Sequence, residues 1–183
     1  MKRLFPMALV LILLLAAMPA QAFQTRAEDP ALRTLLQVMG QAFAPAAAKL
    51  GCTTLVSANY TDPENRSALL EYLPQEPSSE NWTRMFSVAV YTLEGDPARQ
   101  RMTMMTLSGA LLKAFEQHGK ILQKMHYANS AGEPGMFIEF EMGQGAQKEH
   151  NAGIFMRTSK QAAAFIQVQS RGKPLSKDDV LTM

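Results

Sequence analysis

The chain has a single cysteine, Cys52, among its 183 residues, so no disulfide can form within it. An extracellular eukaryotic domain of this size is more often stapled by disulfides, and their absence turns the reading toward a bacterial envelope. After the first residues there is no run of lysine and arginine and no basic–aromatic stripe, which argues against nucleic-acid binding. No apolar run reaches the roughly 20 residues that a spanning helix needs. No repeat, low-complexity tract or linker divides the chain, and no motif is specific enough to name a reaction.

What is present begins with a leader. Met1-Lys2-Arg3 is a basic start, Leu9 to Ala17 is a short apolar run, and Ala20-Gln21-Ala22 is a small-x-small cleavage site. Residues 1–22 therefore read as a secretory signal peptide, leaving 23–183 as one domain. Loss of Lys2 and Arg3 brings eighteen basic residues to sixteen, equal to the sixteen acidic ones, so the basic balance belongs to the leader. The expected location is the periplasm, or the medium, with no transmembrane segment after cleavage. Lys49-Leu50-Gly51-Cys52 lies too far from the leader for lipid attachment. Asn59, Asn65 and Asn81 stand in N-x-Ser/Thr sequences, which are acceptors only in a eukaryotic secretory path.

The rest of the chain, at 47% hydrophobic and 19% charged, is ordinary globular material with enough length for one core. Asp29-Pro30 starts a helix as cap and first residue, and Leu32, Leu35, Leu36, Met39 and Phe43 recur at helical spacing. Pro45 ends or kinks it, with Gly51 as its close. Strands follow over 52–60, 68–73 and 82–93, separated by the turn Asp62-Pro63-Glu64-Asn65 and a polar loop over 75–80. Asp96-Pro97 starts a second helix that carries Met104, Leu107, Leu111, Phe115 and His118 and stops at Gly119.

From Lys120 to Arg171 the period becomes two. Met136, Ile138, Phe140 and Met142 alternate with Phe137, Glu139 and Glu141, as in a strand with one face on a core. Four such strands read as a meander. The expected registers pair Tyr127 with Ile138 and Met125 with Phe140, then Phe140 with His150 and Ile138 with Ala152, then Ile154 with Ile166 and Ala152 with Val168. These put Ile121, Met125, Tyr127, Ile138, Phe140, Ile154, Met156, Ile166 and Val168 on one face. Lys124, Glu139, Glu141, Arg157, Gln167 and Gln169 fall on the other, with Phe137, Phe155 and Phe165 among them. Three phenylalanines on a polar face imply that something covers it. A capping-box-like start at Ser176 predicts a last helical turn.

The fold class is therefore α+β: a six- to seven-stranded, largely antiparallel sheet flanked by two helices, in the order α-β-β-β-α-β-β-β-β. This order, in an exported chain, resembles the PsbP-like family of small α/β/α sandwiches and the related DcrB-type envelope lipoproteins. The resemblance covers roughly 29–171 and rests on element order and export, so no functional residue is carried over. It implies an accessory or binding module.

Each candidate for chemistry has a plain structural alternative. Methionines, including Met102-Thr103-Met104-Met105, together with His118, His126 and His150 would suit copper(I), but Met104, Met125, Met136, Met142 and Met156 read as core filler. His150, expected on the core face, and His118, at a helix end, could transfer protons or simply be hydrogen-bonded. Glu139 and Glu141 share a strand face as a glycosidase pair might, with no apolar pocket to separate their pKa values. Cys52 lacks any base beside it and reads as a buried thiol. Trp82 and Arg84, after the polar loop, are the residue types of recognition hot spots.

The expectation is thus a non-enzymatic envelope module, with no cofactor, that binds an unidentified protein or small ligand through Trp82, Arg84, Phe137, Phe155 and Phe165. A Met/His copper-binding protein is the alternative and a hydrolase with an unrecognised site the weaker one.

Overall fold

The computed structural model describes residues 30–62, 67–74, 82–128 and 132–182. The expected leader, the cap Asp29, most of the turn after Asp62, the polar loop over 75–80 and the sequons at Asn65 and Asn81 lie outside the described residues. The elements are α1 (Pro30–Lys49), β1 (Thr54–Asp62), β2 (Ser67–Leu73), β3 (Arg84–Thr92), α2 (Pro97–His118), β4 (Gly119–Ala128), β5 (Pro134–Met142), a 3-10 turn (Gly145–Gln147), β6 (Glu149–Ser159), β7 (Ala162–Arg171) and α3 (Lys177–Thr182). The class is α+β and the element order is the expected one. All neighbouring strands are antiparallel, in one sheet ordered β1-β2-β3-β7-β6-β5-β4. Two meanders thus meet at β3 and β7, and α2 carries the chain from the middle of the sheet to its β4 edge.

Both faces of the sheet hold apolar clusters, and the helices divide them. α1 runs through Pro45 to Lys49 and ends where Gly51 takes a left-handed φ of 76°, the conformation that glycine adopts without strain. Its Leu36, Met39 and Ala47 pack with Leu70, Phe86, Val88, Ile166 and Val168. α2 begins at Asp96, whose side chain accepts the Arg99 backbone N–H at 2.9 Å. Its Met104, Leu111, Ala114 and Phe115 pack with Ile138, Phe140, Phe155 and Phe165 on the other face. Phe115 stacks on Phe140 with centroids 4.0 Å apart.

One of the three hairpin registers is as expected. Ile154 pairs with Ile166 and Ala152 with Val168. Across β5 and β6, however, Phe140 pairs with Asn151 and Ile138 with Gly153, one residue away from His150 and Ala152. Across β4 and β5, Met125 faces Phe137 and Tyr127 faces Gly135, and a bulge between Ile121 and Gln123 returns Ile121 to Phe140. A one-residue slip reverses a strand's faces. His150 and Ile154 therefore turn away from Phe140 and Ile138, and no single apolar face unites the meander. The phenylalanines separate too: Phe155 and Phe165 lie under α2, while Phe137 joins the margin of the α1 cluster. The cause is local. Residues 152–156 are all apolar, so alternation gives no contrast there, and the 3-10 turn at Gly145–Gln147 sets the register instead.

Candidate functional site

α2 does not seal against the sheet along its whole flank. Halfway along, it presents Ser108 and Gly109, and the hairpin opposite presents Pro134 and Gly135. Beside them lies a cleft of about 410 Å³, whose lining also includes Met104, Met105, Leu112, Phe155, Arg101 and His126. A Cβ on Gly109 would meet nothing within 4 Å, so the space above that wall is open. The walls are mostly apolar, and the polar groups are one guanidinium, one imidazole and one hydroxyl, with no carboxylate. Ligand clefts of this size typically combine apolar walls with a few placed polar groups.

The two walls are tied together at one end. Arg157 of β6 donates to Glu133 at 2.9 Å, to the Lys160 carbonyl at 2.7 Å, and to the Gln100 side chain. Gln100, buried in the first turns of α2, donates in turn to the Gly95 carbonyl at 3.1 Å. This network links the start of α2 to the chain entering β5, the two elements that frame the opening. Arg157, expected on the outer polar face, therefore works beneath α2.

Of the five residues expected to bind a partner, only Phe155 lines this cleft, together with Met104, Met105 and His126 from the copper(I) candidates. Trp82 is buried with Leu73 and Met85, and the Arg171 guanidinium lies 4.0 Å from its ring centroid, a cation–π contact. Arg84 makes ion-pair contacts of 3.0 Å with both oxygens of Asp179 in α3 and donates to the Leu50 carbonyl at 3.4 Å. Phe165 is buried under α2 and Phe137 is half-buried on the opposite face. These five residues do not converge on one surface.

The catalytic candidates disperse as well. Cys52 is fully buried, and burial pushes its thiol up to about 11 despite the nearby Arg84 charge, which leaves almost no thiolate at neutral pH. Glu141 accepts from Lys148 at 2.9 Å and lies 3.2 Å from His150 Nδ1. The Lys148 hydrogen bond holds its carboxyl below the usual range. Glu149 pairs with Arg171 at 2.8 Å on the other face. His118 is exposed at the end of α2. Among the described residues no three of His, Cys, Asp and Glu are grouped to hold a metal, and no helix is long and apolar enough to cross a membrane.

The methionines split between two environments. Met104 and Met136 are core, as expected, but Met125 is 51% exposed, and Met102 and Met105 are 68% and 62% exposed. Sequence reasoning missed Arg101, Ser108, Gly109, Pro134 and Gly135. The available signal was Ser108-Gly109, two poor helix formers in mid-helix where an interior glycine costs about 1 kcal/mol relative to alanine.

No family model matches the chain, and no curated protein matches it. Among solved structures it is similar to a Pseudomonas aeruginosa protein of unknown function, at 12% identity and a TM-score of 0.37, over 67% of this chain and 75% of that one.

Proposed function

We propose that this chain is a non-enzymatic, exported binding module of the cell envelope, and that the cleft between α2 and the β4–β5 hairpin holds the apolar part of an anionic ligand. The observation that carries this reading is the composition of the cleft: Met104, Met105, Leu112 and Phe155 beside Arg101 and His126, with no acid. An apolar body would bury against the methionines at about 25 cal/mol per Å², and a carboxylate at the mouth would meet the guanidinium. The leader-like residues 1–22 support export, and the resemblance to small exported α/β/α sandwiches agrees with an accessory role.

The test is calorimetric titration with decanoate and with decyltrimethylammonium, for the wild type and for Gly109→Leu, which projects a side chain into open space. Decanoate is expected to bind, the cation to bind at least tenfold more weakly, and Gly109→Leu to lose the decanoate while keeping its circular dichroism. Equal affinity for both amphiphiles removes the anionic specificity; no binding of either removes the ligand site. A copper(I) site is the second reading, favoured because Met104, Met105 and His126 line the same cleft and opposed by Arg101. Competition with a copper(I) chelator decides it, since a site weaker than micromolar eliminates that reading.

A further inference from the structure

The chemistry of the cleft continues onto the neighbouring sheet edge. β4 ends the sheet, and among the described residues its only strand partner is β5. One side of its backbone therefore presents unpaired N–H and C=O groups, and seven of its ten residues are exposed. Natural edge strands are commonly short, covered or interrupted, because a free edge is a template for another strand. The bulge between Ile121 and Gln123 interrupts the first part of β4. Residues 123–128 then run without a break past the cleft, to which His126 contributes.

Two further observations mark this edge as a docking surface and specify what fits it. Six large hydrophobic side chains are exposed among the described residues, and four of them, Met102, Met105, Leu122 and Met125, belong to α2 and β4. On the side facing α2 the charge is mostly of one sign. Lys124 lies there, opposite Ile138, and Arg101 lines the facing helix wall, whereas Lys120 stands opposite Glu141 on the other face. Opposing them stands Glu116, 3.8 Å from Lys124, with both side chains largely in solvent.

We infer that the β4 edge and the cleft beside it receive an extended peptide segment of alternating apolar and acidic side chains, which adds as an eighth strand along residues 123–128. This deepens the cleft reading and rests on it: the anionic, apolar ligand is a stretch of polypeptide. Main-chain hydrogen bonds to β4 supply affinity without regard to sequence, and alternate side chains supply selectivity. In such a strand the acidic side chains share one face: on the α2 side their methylenes lie along Met105 and their carboxylates meet Arg101 and Lys124, while the apolar ones lie on the other face beside Met125. Charge also decides against a second copy of this chain, since β4 contains no acid to place opposite Lys124.

The test uses two capped nonapeptides, one alternating valine and glutamate and one alternating valine and lysine, with the full chain after export. Binding is read by calorimetry, and amide hydrogen exchange is followed at both sheet edges. The valine–glutamate peptide is expected to bind at micromolar affinity and to slow exchange in β4 at least tenfold while leaving β1 unchanged. The valine–lysine peptide should bind at least tenfold more weakly, and Arg101→Glu/Lys124→Glu should weaken the acidic peptide by a similar factor with the circular dichroism retained. Protection at β1 in place of β4, or equal binding of the two peptides, overturns the inference. So does protection of β4 by phosphatidylglycerol vesicles where the peptide gives none, which would assign the surface to an anionic membrane. If decanoate binds and the peptide does not, the inference fails and the cleft remains a small-ligand site; if neither binds, both fall.

Discussion

The ring edge of Phe165, on β7, occupies the space where Gly153 of the neighbouring strand β6 would carry its Cβ, closer than a real Cβ contact allows. Phe165 is thereby held between the sheet and Phe115 of α2, with ring centroids 5.6 Å apart. The glycine thus helps set the height at which α2 rides over the sheet, and so the depth of the cleft on its flank. In most strand interiors Gly→Ala is favourable by roughly 0.5–1 kcal/mol. Here Gly153→Ala is expected to destabilise by about 1–3 kcal/mol, the usual cost of overpacking, as measured by urea unfolding. Phe165→Leu in the same chain should recover part of that loss, so the double variant falls short of the sum. Stabilisation by Gly153→Ala alone would show that the ring is free to move aside.

The same pair shows what the sequence could and could not reveal. Periodicity located the strands and both main helices, because it depends on which residues are apolar. It failed on register in β6, where Ala152, Gly153, Ile154, Phe155 and Met156 offer no polar alternate, since each face of this sheet meets a helix-borne cluster. There the 3-10 turn decided the register, and no hydrophobic pattern encodes its length. The cleft was hidden for a related reason. A site opened by what is missing, the side chain of Gly109, leaves no stripe to read. Tryptophan and arginine drew attention as frequent recognition residues, yet Trp82 and Arg84 are taken up by internal partners.

Arg84 allows that distinction to be measured. Its guanidinium joins the end of α1, through the Leu50 carbonyl, to Asp179 of α3, which is buried. Asp179 also accepts the Ser176 backbone N–H at 2.9 Å, and its own N–H donates to Ser176 Oγ at 3.1 Å, the reciprocal capping expected from the sequence. Removing the cation leaves a buried carboxylate without its charge partner. That loss reaches 3–5 kcal/mol in a closed interior and is expected near about 2 kcal/mol here, because the Arg84 side chain is 35% exposed and water screens part of it. Arg84→Leu should lower the urea midpoint accordingly, Asp179→Leu in the same chain should restore much of it, and decanoate affinity should stay within twofold throughout. A stable Arg84→Leu variant with lost affinity would instead make Arg84 a recognition residue.

Glu71 provides the pH dependence. It sits on β2 opposite Ser87, in a polar row on the sheet face that α2 shares. Ser87 accepts from Gln169 at 3.2 Å, and Gln167 donates to Asn151 at 2.8 Å. Those four residues are buried, and the Asn151 Nδ2 has no partner. Burial in this row pushes the Glu71 carboxyl up from 4.5 to about 7. An unfolded chain releases the proton near 4.5 and the folded one holds it until about 7, so the folded state binds more protons in between. The stabilising effect is complete below pH 4.5 and disappears as pH rises through 7, a change of about 3 kcal/mol. Other carboxyls oppose this: Glu141, held low by Lys148, gains stability over a more acidic range. The informative quantity is therefore the difference between Glu71→Gln and the wild type at each pH. The two should have similar urea midpoints at pH 5, with the variant pulling ahead between pH 6 and 8 because its amide never ionises. A difference that does not change with pH, or a wild type that stays ahead at pH 8, would mean that the Glu71 carboxylate finds a cation in the folded protein.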